Sequence, residues 1–321
     1  MAREQKPTYG GQAVLEGVMI RGQNHMAVAV RRPNGAIAIQ QRPLSTLYTG
    51  AIRRIPLLRG VIVLVETLSL GMRALSYSAN VNMEDPEADP DSEVESEELG
   101  KGAMASMLLI SFGFAIALFF LLPLFASRPF EGVFGNDIVS NIAEGAIRLA
   151  VFVIYIWFIG RMPDIKRVFM YHGAEHMTVH AQERGDPLVV DAIRKYSPAH
   201  PRCGTAFLLT VMVVAILVFV LVPRDPLWWM ILSRIIFIPA IAALAYEVIR
   251  LSGRYEDNPL VSMISAPNLL LQKLTTRQPD DDQIEVAVAA MNAALGADAH
   301  SPDAESDGDR LSMTDATSGG C

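Results

Sequence analysis

The chain has 321 residues, 51% of them hydrophobic, with a mean hydropathy of +0.29, which is too apolar for an ordinary soluble domain and points to a membrane protein. Its two cysteines, Cys203 and Cys321, lie far apart and exclude a disulfide framework of the secreted type. The net charge of −7 comes from two acidic segments, −9 over residues 84–98 and −5 over residues 297–321, so the remainder is basic at +7, as suits an anionic inner leaflet.

Residues 1–54 are expected to form a small cytoplasmic region. The opening "MAREQKPTYGGQ" holds no apolar run of signal-peptide type, so the N-terminus is expected to be retained. A glycine-rich stretch, "YGGQAVLEGVMIRG", follows. It fits no dinucleotide or phosphate-loop pattern, and its Glu16 and Arg21 read as exposed turn residues. "MAVAV" and "AIAIQ" then alternate around "RRPNG", a β-hairpin signal.

Residues 55–83 read as an amphipathic or bundle-packed helix. Arg59, Glu66 and Arg73 recur every seven residues and share one stripe on an otherwise apolar helix. Three charges near a bilayer centre, at about 2.5–3.5 kcal/mol each, argue against a span. The acidic linker 84–101 and the tail 297–321 have too little apolar surface to offset the entropy of ordering and are expected to be disordered.

Residues 102–250 are predicted to be an α-helical membrane domain of about four spans. The first, Gly102–Ser127, is uncharged and longer than the roughly 20 residues a bilayer needs. The second, 142–161, is weaker because Glu144 and Arg148, four apart and able to pair, lie near its start. The third is Cys203–Pro223. The fourth, 226–246, starts at the interfacial Trp228 and Trp229 and carries Arg234, for which Glu144 is the expected partner. The loop 162–202, taken with its flanking Arg161, carries seven basic residues (Arg161, Lys166, Arg167, Arg184, Arg194, Lys195 and Arg202), whereas the other two inter-span loops carry one each. The positive-inside rule then puts that loop and both termini in the cytoplasm. In the C-terminal region, 251–296, "NLLLQKL" and "DDDQIEVAVAAMNAAL" read as two helices, the second opening on aspartates that suit a helix N-terminus.

The chemistry lies in "YHGAEHMTVH", just after the second span. On a helix His172, His176 and His180 drift only about 40° per step and point one way. Histidines four apart can share one zinc ion, and "HGAEH" matches the H-x-x-E-H pattern of inverted zinc peptidases, in which the glutamate works on water. His200 and Cys203 of "HPRCGT" and Glu247 at the end of the fourth span reach the same membrane level as further candidate ligands. Soft and borderline donors together favour zinc over magnesium or calcium. Without a metal, the same residues make a polar interfacial helix.

Together, "YGGQAVLEGVMIRG", "YHGAEH", "HPRCGT" and "LTTRQPDDDQIEVA" resemble the YqhQ-like family of bacterial inner-membrane proteins, over about residues 8–292. The resemblance implies a multi-span inner-membrane protein with a suspected metal site. His172, Glu175, His176, His200 and Cys203 fall in the matching motifs, while Met177 stands where the pattern is expected to have a lysine.

The first expectation is therefore a zinc-dependent membrane enzyme, most plausibly a hydrolase. His172, His176, His180, His200, Cys203 and Glu247 would be its metal ligands and Glu175 its general base. The lipid bilayer would be its surroundings, a protein or lipid its substrate, and nucleic acid no partner. The alternative is a non-enzymatic scaffold, assembly factor or transport accessory protein with a structural metal. A transporter fits less well, because only Arg234 lies well inside a span.

Overall fold

The computed structural model describes residues 9–45, 55–56, 58–83, 101–130, 136–200, 203–255 and 258–300. The acidic segment 84–98 and the tail from residue 301 onward lie outside the described residues.

The N-terminal region is a four-stranded antiparallel sheet in sequence order: β1 (Gly10–Val14), β2 (Gly17–Arg21), β3 (His25–Arg31) and β4 (Ile37–Pro43). The expected hairpin is β3–β4, turned at Gly35 with φ +89°. Strands β1 and β2 were not expected, because glycines interrupt their alternation. Those glycines allow close pairing: a methyl on Gly17 would collide with the Ala29 carbonyl oxygen across the ladder.

The alternation in β3 separates two faces, and both are buried. Ala27 and Ala29 pack with Tyr171, Ala174 and Met291 from two helices, Pro163–Arg184 and Asp281–Ala299. Met26, Val28 and Val30 pack on the other side against Leu70, Ala74 and Val81 of α1 (Leu58–Asn82). The small residues let the helices on the first face approach closely, while the large ones fill the second. At about 1.5–3 kcal/mol for each fully buried large side chain, this three-layer module has a core of its own.

The charged stripe of α1 divides between partners. Glu66 is buried and accepts from Arg21 at 2.9 Å, Arg59 pairs with Glu247, and Arg73 is exposed. Leu58, Val65, Leu68 and Leu75 are exposed.

The remaining helices form an apolar bundle. α2 (Lys101–Ile116) passes through a π-helical turn, Ala117–Leu121, into α3 (Leu122–Ser127). α4 is Asp137–Ile159, capped by the Asn136 side chain. Leu109–Ser127 and Asp137–Ile159 are each long and apolar enough to cross a membrane. The expected fourth span is α8 (Leu227–Ile236) followed by α9 (Ile238–Arg254), bent by 46°. Pro239, which lacks an N–H and breaks the helical ladder, stands at the bend. The pair makes a third crossing if it is one broken span. The expected third span, α7 (Gly204–Val220), has 17 residues and is about 26 Å long, short of a 30 Å hydrocarbon core.

One charged cluster is buried in this bundle. Glu144 accepts from Arg148 at 2.5 Å, from Arg224 at 2.9 Å and from Arg234 at 2.8 Å, and Asn141 accepts from both Arg224 and Arg234. The expected pairing of Arg234 with Glu144 is present. Arg224, which reads as a loop residue in the sequence, turns inward to join it.

α5 (Pro163–Arg184) opens with a proline and Asp164 in its first turn and closes at Gly185 in the left-handed region, φ +75°. α6 (Val190–Ile193) is one turn. α10 (Pro259–Thr275) leads to α11 (Asp281–Ala299), whose capping box joins Asp280 and Gln283. α11 runs past the expected tail boundary. Its Asp298 is buried and accepts from the backbone N–H groups of Gln23, Asn24 and His25 at 2.7–3.0 Å, tying the helix to the sheet.

Candidate metal centre

One face of α5 presents His172, Glu175, His176, Val179, His180 and Glu183, at steps of three and four residues. The helix is held close to the chain that follows α10. A methyl on Gly173 would collide with the Arg277 carbonyl oxygen, and Arg277 N–H donates to Phe169 O at 2.9 Å. This closeness lets the Thr275 carbonyl accept from His172 Nδ1 at 2.9 Å. His176 Nδ1 donates to Pro198 O at 2.6 Å and His180 Nε2 to Ala199 O at 3.0 Å.

A carbonyl oxygen can only accept, so each of these ring nitrogens carries a proton, and in a neutral ring the other nitrogen is the one free to ligate. Metal-binding histidines are commonly oriented this way. The main chain of His200 is fixed from both sides by the Gln272 amide, at 2.9 and 2.8 Å.

The donors fall into two groups. His172, His176 and Cys203 offer ligand atoms within 4.8 Å of one another, and so do His180, Glu183 and His200. In the first, His172 Nε2 lies 3.3 Å from Cys203 Sγ. A tetrahedral zinc ion with ordinary Zn–N and Zn–S bonds sets its ligands about 3.5 Å apart, so the pair fits such an ion. Burial pushes the pKa of His176 down and keeps the ring in the neutral, ligating form.

Glu175 is buried, with Oε2 3.5 Å from His176 Nε2. Burial pushes its carboxyl up, while His172, His200 and the backbone N–H of Gly11 pull it down. A methyl on Gly11 would come within 3.1 Å of Glu175 Cγ, so the glycine-rich strand permits this approach. Each motif of the family resemblance thus reaches the centre.

A cavity of about 450 Å³ opens beside these residues. Glu175, His176, Glu183, His200 and Cys203 line it, together with Gly11, Arg21, Glu66, Leu70 and Tyr246 among others. Arg21, read as an exposed turn residue, is part of this lining. Glu16 is not: it holds φ +49° at the β1–β2 turn and pairs with Arg167, which keeps its carboxyl below the ordinary range.

His172, His176, His180, His200 and Cys203 therefore come together, but in two groups and not one, with Glu175 beside His176 of the first. Glu247 stands apart from both, its carboxylate held by Arg59 Nε at 2.6 Å and by Arg59 Nη2. Glu183 was missed in the sequence. Its signal was the second H-x-x-E, His180 to Glu183, which repeats His172 to Glu175 eight residues on.

The family model for "Protein of unknown function (DUF1385)" matches residues 55–297. The chain is also 35% identical over 294 residues to "Uncharacterized protein YqhQ" of Bacillus subtilis (strain 168), an alignment spanning 90% of this chain and 92% of that one. No solved structure matches. With the family model matched over well over half of its length and a relative aligned over nearly all of it, the chain belongs to the DUF1385 family.

Proposed function

We propose that this protein is a zinc-dependent membrane hydrolase working at the cytoplasmic face of a bacterial inner membrane. The observation that carries the reading is the first donor group. Three protein ligands, His172, His176 and Cys203, stand beside a cavity with a buried carboxylate next to them. Three ligands and an open side are the catalytic pattern, whereas a closed four-ligand set is the structural one.

Zinc supplies Lewis acidity, polarising a carbonyl or phosphoryl oxygen and acidifying water. The chain's part is to place and move protons. Glu175, with its carboxyl pushed above the usual range, is suited to accept one from water in the cavity and return it to a leaving group. The Gly11 N–H holds that carboxylate in place. Arg21 and Tyr246 offer donors to a polar group of the substrate, beside the apolar Met19, Val63 and Leu70. That mixture suits an amphiphilic substrate, a lipid or a membrane-bound peptide.

The orientation follows from the basic residues around α5, and the seating of both N- and C-terminal elements on α5 agrees with it. A second reading, a scaffold or accessory protein with a structural metal, is favoured by one feature. The donors join α5 to the segment carrying His200 and Cys203, as a structural staple would.

Metal analysis of the purified full-length protein tests the reading. His176→Ala should lose metal, whereas Glu175→Gln and Glu247→Gln should keep it. In a complementation assay Glu175→Gln should fail, because a general base contributes about 10²–10⁴-fold in rate. Equal metal in wild type and His176→Ala would remove the site. Full rescue by a metal-loaded Glu175→Gln would favour the scaffold.

A further inference from the structure

We propose that the chain holds two metal ions in adjoining, separate sites, the second on His180, Glu183 and His200. The proposal extends the zinc reading of the first group to the neighbouring one. The two sites follow the repeated H-x-x-E of α5, and no donor is common to both.

The second group is built as the first is. The His180 ring is fixed through Nε2 by the Ala199 carbonyl, which leaves Nδ1 as the nitrogen a metal would take. The His180 and His200 ring centres are 4.3 Å apart, and His200 Nε2 lies 3.2 Å from Glu183 Oε2. Two imidazoles and a carboxylate held at this spacing are the donor set of many catalytic zinc sites. The main chain of His200 cannot drift, since Gln272 holds both its N–H and its C=O. The ring centres of His176 and His200 lie 5.8 Å apart, so the sites are neighbours across one ring contact.

The sites differ in donor chemistry and in access. The first has a thiolate donor and is the softer; the second has only nitrogen and oxygen donors and is the harder. His176 and Cys203 are buried, whereas the Glu183 side chain keeps 21% of its exposure. Glu183 and His200 line the first cavity, and His180 lines a second of about 520 Å³, with Arg184, Asp186, Lys195, Tyr196 and Ser197. The second ion is therefore reached from two cavities, and it exchanges before the first.

Cobalt titration of the purified, metal-free, full-length protein tests this. A thiolate-to-cobalt absorption band reports the first site, and total bound cobalt reports both. Two ions per chain are expected, with the thiolate band complete after one. A chelator should then remove one ion while the band persists. Glu183→Gln should bind one ion with the band, and Cys203→Ser one ion without it.

One ion per chain with the full band in both wild type and Glu183→Gln would overturn the second site and leave the zinc reading standing. Bound cobalt without a thiolate band would overturn the first site. Two ions in wild type, with Glu183→Gln still binding two, would place the second ion elsewhere and overturn the assignment. Should Glu183→Gln fail to fold, the wild-type stoichiometry and the order of chelation still decide.

Discussion

Replacing Gly173 with alanine sets two opposite effects against each other. In a helix interior alanine is favoured over glycine by about 1 kcal/mol. At position 173, however, the new methyl would fall more than about 1 Å inside van der Waals contact with the Arg277 carbonyl oxygen. That oxygen belongs to backbone and cannot swing aside as a side-chain tip would. Helix α5 and the strap Thr275–Arg277 must part by about 1 Å. The His172 Nδ1 to Thr275 O bond, now 2.9 Å, and the Arg277 N to Phe169 O bond, also 2.9 Å, would then stretch beyond hydrogen-bonding range.

Overpacking costs about 1–3 kcal/mol, and each lost bond about 0.5–1.5 kcal/mol. Set against the helix gain, the net loss is about 3 kcal/mol, or several degrees in Tm for a chain of this size. Gly296 is the internal control. It too is helical, but among the described residues nothing beyond its own stretch of helix lies within 4 Å of its missing methyl, so Gly296→Ala should gain about 0.5–1 kcal/mol.

Thermal unfolding of both variants in detergent, without metal, measures the two signs. Zinc affinity measures the consequence for the site, because His172 loses the contact that orients it. A typical loss for such a support is about 10–100-fold. If Gly173→Ala were as stable as Gly296→Ala and bound zinc like wild type, the close seating of α5 would be refuted.

Three further expectations concern other parts of the chain. Glu144→Gln would leave Arg148, Arg224 and Arg234 around a neutral amide, and a buried charge without its partner costs about 3–5 kcal/mol; a thermal shift below about 1 °C in detergent would contradict that role. The Glu175 carboxyl is raised in the folded chain, which therefore keeps a proton that the unfolded chain releases above about pH 4.3. Stability of the metal-free protein should fall as pH rises from there to the raised value, so Glu175→Gln should raise Tm at neutral pH but not below about pH 4; a gain independent of pH would be inconsistent with this. Asp191→Cys places a thiol on a side chain that is 88% exposed in the basic loop, with Cys321 removed and the buried Cys203 kept. An impermeant maleimide should label it only after the cells are opened, and labelling of intact cells would reverse the orientation.

The parts of this protein legible in its sequence are those set by local spacing. A hydrophobic run states its own length, so an apolar helical bundle could be read directly, although Pro239 breaks the fourth run and α7 stops short. Steps of three and four along α5 put His172, His176 and His180 on one face whatever surrounds them. The alternation of Met26 to Val30 marked a strand, but not that both of its faces are covered. Partner choice is a different matter, because it depends on which segments the fold brings within a few ångströms.

Glu247 reads as a ligand from its place at the end of the fourth apolar run, yet α1 places Arg59 against it and the two form a charge-assisted pair. Arg224 looked like a loop cation until the bundle enclosed it beside Glu144. Glu183 carried a readable spacing, but only the path of the chain to His200 supplies its neighbour. The division of six donors into two groups of three is likewise a tertiary result: the Pro198 and Ala199 carbonyls hold two adjacent rings in different donor groups, and no spacing along the chain encodes that.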